Sequence, residues 1–119
     1  MTLRLVVCCA LVALGVLIGR ATSAQAPRVQ IEEEEVLNNE SVRIVLVTYS
    51  PGADSDLHLN VGPEITIVKE GELALYAKGR REALRSPDAH WLPESTTHLA
   101  RNETERPTRF WSILLKRCD

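Results

Sequence analysis

Three residues between positions 58 and 98 have side chains that commonly bind metal ions, at a spacing that could bring them together: His58, Glu64 and His98. His58 precedes Asn60 by two positions, so on an extended strand both side chains would share one face. Glu64 follows a Val-Gly-Pro turn that can return it alongside His58, and His98 is predicted to come from another strand of the same sheet. Two imidazoles and one carboxylate form a ligand set for one divalent ion of Fe, Mn, Zn, Ni or Cu.

Asn60 leaves three interpretations of this site open. Its amide oxygen would be a weak fourth ligand, or the amide would hydrogen-bond a metal-bound water or a substrate, or the asparagine would mark a site that has lost its metal. A metal-free alternative also stands, because Glu64 between His58 and His98 would form a mutually satisfied polar cluster.

Other candidates have weaker support. His90 has no partner that the spacing assigns, and we interpret it as a surface or partly buried strand residue. The aromatic residues, including Tyr49 and Trp91, are predicted to pack in the core. A basic stretch is interpreted as a solvated loop, with an anion-binding clamp as the alternative; it contains Lys78, Arg80, Arg81 and Arg85.

The elements that must position these residues are predicted to be short strands. Apolar and β-branched runs alternate with turn signals, and helical spacing is not sustained after the N-terminal segment. Glu70-Gly71 is predicted to be a two-residue hairpin turn, and Lys78-Gly79-Arg80 the next turn. This pattern predicts an all-β, antiparallel sandwich or barrel. The predicted strands are Ser41–Tyr49, Glu64–Lys69, Glu72–Ala77, Ala89–Leu92, Thr97–Arg101 and Arg109–Lys116.

The segment around the first histidine resembles the first motif of the cupin family. Gly52, His58, Glu64 and Gly71 match that motif in residue type and in every spacing. The departure is Asn60, which stands where the family usually has its second histidine.

The later segment resembles the second cupin motif. Pro93, His98 and Asn102 match it, whereas Ser95 and Pro87 stand in place of its two glycines. The two motifs occur in the family's order, and the resemblance covers residues 36–116.

This resemblance implies a jelly-roll (double-stranded β-helix) barrel of six to eight strands with a divalent metal ion near its mouth. His58, Glu64 and His98 match ligand positions, and Asn60 matches one with a poorer ligand. Cupins include dioxygenases, isomerases and sugar-binding regulators, so the fold does not decide the function. One expectation is a metal ion with a small organic ligand in the barrel, in a dioxygenase-type oxidoreductase. The alternative is a non-catalytic binding module, and whether the protein is an enzyme stays open.

The resemblance also bears on partners and substrate charge. Family members commonly pair through sheet edges, which implies a homodimer. Two neutral imidazoles and one carboxylate leave a divalent site positively charged, which favours an anionic or enolate-forming substrate.

The N-terminal segment has the three parts of a secretory signal peptide. Arg4 precedes an apolar run from Leu5 to Ile18, and a small-residue tail predicts cleavage after Ala24. We therefore expect a signal peptide at residues 1–24, a lead segment at 25–35 and a barrel domain at 36–117. The mature protein would be exported to a periplasm or secreted, with no stable membrane span.

Composition limits the remaining classes. The 119 residues carry a net charge of −2, with 45% hydrophobic and 25% charged residues, which is typical of a single globular domain. No basic excess favours nucleic acid. After residue 24 one cysteine remains, Cys118, so the predicted mature domain must hold its core without an internal disulfide.

Overall fold

A computed structural model describes residues 28–116, and these residues form strands and no helix. The predicted signal peptide and Cys118 lie outside this range. Within residues 28–116 there is therefore no helix that is long and apolar enough to cross a membrane. The nine strands are β1 (Ile31–Asn38), β2 (Val42–Tyr49), β3 (His58–Leu59), β4 (Glu64–Glu70), β5 (Glu72–Ala77), β6 (Arg80–Arg85), β7 (Ala89–Leu92), β8 (Thr97–Arg101) and β9 (Thr108–Leu115).

The strands form two facing antiparallel sheets, which confirms the all-β prediction. One sheet has the order β1-β2-β9-β4-β7, and the other has the order β3-β8-β5-β6. Alternate side chains from both sheets meet between them and form the hydrophobic core. The core consists mainly of Val45, Val47, Tyr49, Val68, Leu73, Leu75, Leu84, Leu92 and Phe110.

The predicted hairpin at Glu70-Gly71 is wrong, because β4 and β5 belong to different sheets. Gly71 turns the chain from one sheet into the other with a φ of 80°. A Cβ there would lie 2.7 Å from the carbonyl oxygen of Pro107, so both the backbone angle and the available space require glycine. The true two-residue hairpin joins β5 to β6 through Lys78 and Gly79, whose φ angles of 51° and 71° are both positive, as in a type I′ turn.

Three strands were not among the predicted ones: β1, β3 and β6. β1 contains the acidic run Glu32–Glu35, all eight of its residues are exposed, and it pairs with β2 at the edge of its sheet. β6 has one buried residue, Leu84, among charged neighbours. Such edge strands lack the apolar alternation that marks a strand in a sequence. The sheet therefore begins at Ile31, inside the predicted lead segment at residues 25–35.

Asn102, the last residue of the second motif, connects loops of the barrel. It is fully buried, and its amide nitrogen donates to the carbonyl oxygens of Tyr49 (3.1 Å) and Arg106 (2.7 Å). Its side-chain oxygen accepts from the backbone nitrogen of Thr104 (3.0 Å) and from the Thr104 hydroxyl (2.7 Å). These bonds fix the β8–β9 loop against the end of β2, so this motif residue supports the fold.

Candidate metal centre in the barrel

A cavity of about 330 Å³ lies between the two sheets and contains the predicted site. Its apolar wall comes from both sheets and includes Val47, Leu75, Leu92 and Phe110. His58, Glu64 and His98 all line this space, so the structure brings these three predicted residues to one cavity.

The two histidines face each other across the β3–β8 ladder. His58 and His98 are directly paired in register, and their ring centroids are 4.1 Å apart at a tilt of 58°. His98 is only 3% exposed, whereas His58 is exposed on its two-residue strand. His98 is therefore the fixed member of the pair, and His58 lies at the solvent-facing end of the cavity.

Backbone hydrogen bonds determine which nitrogen of each ring is free. His58 Nδ1 lies 2.9 Å from the carbonyl oxygen of Asp56, and His98 Nδ1 lies 3.1 Å from that of Thr96. A carbonyl oxygen only accepts, so each Nδ1 must carry the proton. In the neutral rings both Nε2 atoms then have a free lone pair, which is the form that binds a metal ion.

Glu64 reaches the histidines from the opposite sheet. Its Oε2 lies 3.9 Å from His98 Nε2, and its Oε1 accepts a 2.8 Å hydrogen bond from the Ser112 hydroxyl. Ser112, on β9, was not predicted as a site residue. The only sequence signal for it is a small hydroxyl residue inside the apolar run of that strand. Ser112 holds one carboxylate oxygen and leaves the other facing His98.

The donor set fits a divalent ion in its chemistry. Two donor atoms that are each about 2.1 Å from one ion lie at most about 4.2 Å apart, and the 3.9 Å between Glu64 and His98 is within this limit. As arranged in residues 28–116, no group of three His, Cys, Asp or Glu side chains converges on one point. Binding by all three residues therefore requires their side chains to move closer together than in this arrangement.

Asn60 is placed differently from the other three candidates. It is 5% exposed, and its amide nitrogen donates to the carbonyl oxygens of Gly62 (2.8 Å) and Pro93 (2.7 Å). Its side-chain oxygen accepts from the backbone nitrogen of Thr96 at 2.8 Å. Because β3 ends at Leu59, Asn60 lies outside the strand, and the predicted strand face shared with His58 does not form. Asn60 joins the loop after β3 to the loop before β8.

Acidic side chains line the solvent-facing end of the cavity. Glu33 comes from β1, and Asp54 and Asp56 come from the loop before β3. The backbone N–H of Asp56 donates to Asp54 and, together with nearby Arg101, lowers the pKa of the Asp54 carboxyl. These carboxylates make the entrance attractive to cations and unfavourable for anions.

Tyr49 lines the inner part of the cavity. It is 5% exposed and packs edge-on against Phe110, with ring centroids 5.1 Å apart. Burial raises the pKa of Tyr49 to about 12, so its hydroxyl keeps its proton throughout the neutral range. Tyr49 therefore packs in the core, as predicted, and also contributes a protonated hydroxyl group to the cavity wall.

Comparison with solved structures finds the same fold in several cupins. A cupin superfamily protein from Desulfitobacterium hafniense DCB-2 superposes with a TM-score of 0.70 and 16% identity, covering 77% of this chain and 83% of its own. An RmlC-like cupin with a double-stranded β-helix fold from Methanocaldococcus jannaschii gives 0.69 and 16%, covering 76% and 84%. KdgF from Halomonas sp. gives 0.68 and 23%, covering 75% and 81%. These likenesses show the double-stranded β-helix fold alone.

Sequence comparison identifies the family. No curated protein matches the chain. The cupin domain family matches residues 45–114, which include both motif segments, all of β3 to β8 and most of β2 and β9. The chain belongs to the cupin family.

Proposed function

We propose that this protein is an exported cupin that binds one divalent metal ion and a small organic ligand in its barrel. The observation that carries the proposal is the orientation of the two imidazoles. Both rings bond the backbone through Nδ1, which leaves the Nε2 atoms of His58 and His98 free, with that of His98 3.9 Å from the Glu64 carboxylate. Cupins commonly bind metals, and these are the three residues that would hold the ion.

The chain's own residues prepare the site for this task. Ser112 holds Glu64 through one oxygen, so the other oxygen stays directed toward His98. The buried Tyr49 keeps its proton at neutral pH, and its hydroxyl is hydrogen-bonded with the Ser55 side chain at the cavity wall. When bound, a divalent ion with two imidazoles and one carboxylate supplies Lewis acidity and open coordination positions.

The entrance favours a different ligand charge from the one expected from the sequence. The ligand set alone favours an anionic substrate, but Glu33, Asp54 and Asp56 line the approach. The wall combines apolar and polar side chains, and the volume of about 330 Å³ suits a small molecule. We therefore propose a neutral or cationic small organic ligand.

Metal content of the purified protein tests the proposal. The protein is purified without chelator and without nickel affinity, beside a His58→Ala/His98→Ala variant and a matched His90→Ala control. We expect close to one equivalent of a divalent metal in the wild type and in the control, and none in the double variant. A wild-type protein that contains no metal and takes none up on titration would overturn the metal assignment.

A non-catalytic, metal-free binding module is the second candidate. It is favoured by the arrangement of Glu64, which already lies between the Ser112 hydroxyl and the buried His98 ring. Ligand binding that is unchanged by chelator would support this candidate. Oxygen consumption with a phenolic or thiol substrate, lost on chelation, would instead establish a dioxygenase-type oxidoreductase.

Export and assembly complete the proposal. Export is supported by the composition of residues 1–24, and a secreted product beginning at Gln25 would establish it. A homodimer is supported by the apolar side chains exposed on and beside the edge strand β1. Sedimentation velocity should give twice the mature mass, and a monomer at all concentrations would refute the dimer. The exposed side chains are Val29, Ile31, Val36 and Leu37.

A further inference from the structure

The segment that carries His58 pairs with β8 through an interrupted ladder. Asp54 forms an antiparallel bridge with Arg101, and further along His58 lies directly opposite His98. The interval from Asp54 to His58 is one residue longer than the interval from His98 to Arg101 on β8. An extra residue on one strand of an antiparallel pair is a β-bulge. The bulge therefore lies immediately before β3, at the cavity entrance.

This bulge decides which side chain meets His98 across the ladder. Residues directly opposite each other in an antiparallel pair project from the same face of the sheet. In a regular ladder continued from Asp54, Leu57 would lie opposite His98, and His58 would project from the outer face. In the structure, Leu57 is 68% exposed, whereas His58 lies opposite His98 and lines the cavity. The bulge thus places an imidazole where a regular ladder would place a leucine.

The Ser55 hydroxyl replaces a backbone acceptor at the bulge. The Ser55 N–H donates to the carbonyl oxygen of Ala100 at 2.9 Å, as in a regular antiparallel pair. The Ala100 N–H, however, donates to Ser55 Oγ at 2.9 Å, and the Ser55 hydroxyl donates to the carbonyl oxygen of Asp56 at 3.0 Å. Through these bonds, and another with the Tyr49 hydroxyl, one side chain ties the bulge to β8 and to the core.

The carbonyl oxygen of Asp56 is the acceptor that orients the His58 ring. His58 Nδ1 lies 2.9 Å from it, and its two lone pairs accept from His58 and Ser55 together. Asp56 has a φ of 57°, in the left-handed region that aspartate and asparagine tolerate and β-branched residues do not. The orientation of His58 therefore depends on this backbone conformation and on the Ser55 hydroxyl.

We propose that Ser55 is a positioning residue of the candidate metal centre, which holds His58 opposite His98 with its Nε2 unprotonated. Its effect on metal binding rests on the proposed function, whereas its effect on the His58 ring needs no metal ion. Without the hydroxyl, the Ala100 N–H loses its acceptor and the Asp56 carbonyl loses one of two donors. His58 is exposed on a two-residue strand, so the rest of the fold supplies little to replace this constraint.

Two-bond proton–nitrogen spectra of the metal-free protein test this role. The wild type should show a single Nδ1-protonated neutral ring for His58. Ser55→Ala should show a mixture of both neutral tautomers for His58 and no change for His98, and Ser55→Thr, which retains a hydroxyl, should restore the wild-type pattern. Ser50→Ala is the matched control, because Ser50 Oγ also accepts a backbone N–H, that of Gln30 at 2.6 Å, in the same connection between β2 and β3. It should leave His58 unchanged.

Zn(II) titration of the same proteins measures the consequence for the metal centre. Ser55→Ala should bind about tenfold more weakly than the wild type, because partners that orient metal ligands contribute about 10- to 100-fold to affinity. Ser55→Thr and Ser50→Ala should bind as the wild type does. Unchanged affinity in Ser55→Ala beside a metal-binding wild type would overturn the role of Ser55. If the wild type binds no Zn(II), the proposed metal site fails, and the His58 tautomers alone decide the positioning role.

A second pair of variants tests the bulge if Ser55→Ala does not fold. Asp56→Asn and Asp56→Val both remove the carboxylate, so the charge at the entrance is the same in the two proteins. Asparagine tolerates the left-handed conformation and should keep the wild-type His58 pattern, whereas valine opposes it and should give mixed tautomers. A single Nδ1-protonated His58 in both Ser55→Ala and Asp56→Val, or an equal change in Ser50→Ala, would overturn the proposal.

Discussion

The barrel cavity and a second cavity, between the edge strands β6 and β7, each contain a histidine close to a glutamate, but opposite ring nitrogens are hydrogen-bonded. In the barrel cavity, His98 bonds the backbone through Nδ1, and its Nε2 is 3.9 Å from Glu64. In the second cavity, His90 bonds Glu82 through Nε2 at 3.0 Å, and its buried Nδ1 has no partner among residues 28–116. The partner of one nitrogen therefore decides what the other can bind.

The charged side chains around the two cavities also differ. The barrel-cavity entrance carries Glu33, Asp54 and Asp56, whereas the second cavity carries Lys78 and Arg80 beside one carboxylate. The charge therefore favours cations at the first and anions at the second. Leu75 and Leu92 line both spaces, so these two regions of opposite charge lie close together.

The largest expected effect is on metal affinity. His98→Ala removes one of the three proposed ligands, on the buried side of the cavity, and should weaken binding of Zn(II) at least 1,000-fold, or about 4 kcal/mol. His90→Ala removes a histidine of the other tautomer outside the cavity and should change affinity less than twofold. Competition titration with a chromogenic chelator measures both. Equal losses of Zn(II) affinity in the two variants would contradict the placement of the metal in the barrel cavity.

Asn60→Ala should lower the free energy of unfolding by about 3 kcal/mol, because it removes three hydrogen bonds made by a buried amide. Asn39→Ala is a matched control, since the exposed Asn39 side-chain oxygen accepts hydrogen bonds from the backbone N–H groups of Ser41 and Val42, and its loss should cost about 1 kcal/mol. Urea unfolding of the metal-free proteins measures both values. A stable Asn60→Ala protein with lost metal affinity would instead make Asn60 part of the site.

The smallest of the three effects is on alkaline stability. Because burial raises the pKa of Tyr49 to about 12, the native state keeps a proton that the unfolded state loses near pH 10. Stability from this group is complete below pH 10 and falls as pH rises toward 12, by about 2 kcal/mol at pH 11.5. Tyr49→Phe should show a shallower alkaline decline in chemical unfolding. An identical decline in both proteins would contradict the raised pKa of Tyr49, because it would mean that water hydrates the Tyr49 hydroxyl in the native state.

Much of the fold was predictable because central strands alternate. The central strands β2, β4, β5, β8 and β9 lie where β-branched and apolar runs predicted strands, with bounds that agree to within one residue. β1 and β6 were missed because these edge strands are almost entirely exposed. Charged side chains occupy their strands, so the sequence lacks the alternation of apolar and polar residues that predicts a strand. The Gly71 turn was misread as a hairpin because a sequence does not show whether a glycine connects two paired strands or two sheets.

The candidate site was predictable only in part. Family spacing selected His58, Glu64 and His98, and the structure places all three at one cavity. The role of Ser112 depends on the register of β4 against β9, which local sequence does not contain. The loop bonds of Asn60 depend on the approach of residues 93 and 96 from a distant segment. Contacts set by long-range pairing could not be read from one sequence.

The most direct test is the two-bond proton–nitrogen spectrum of the three imidazoles, recorded before and after one equivalent of Zn(II). Without metal, we predict Nδ1-protonated neutral rings for His58 and His98 and an Nε2-protonated neutral ring for His90. With metal, the Nε2 signals of His58 and His98 should move to coordinated values, and His90 should not change. Coordination through Nδ1, or no change at His58 and His98, would contradict the assignment of the barrel cavity as the metal centre.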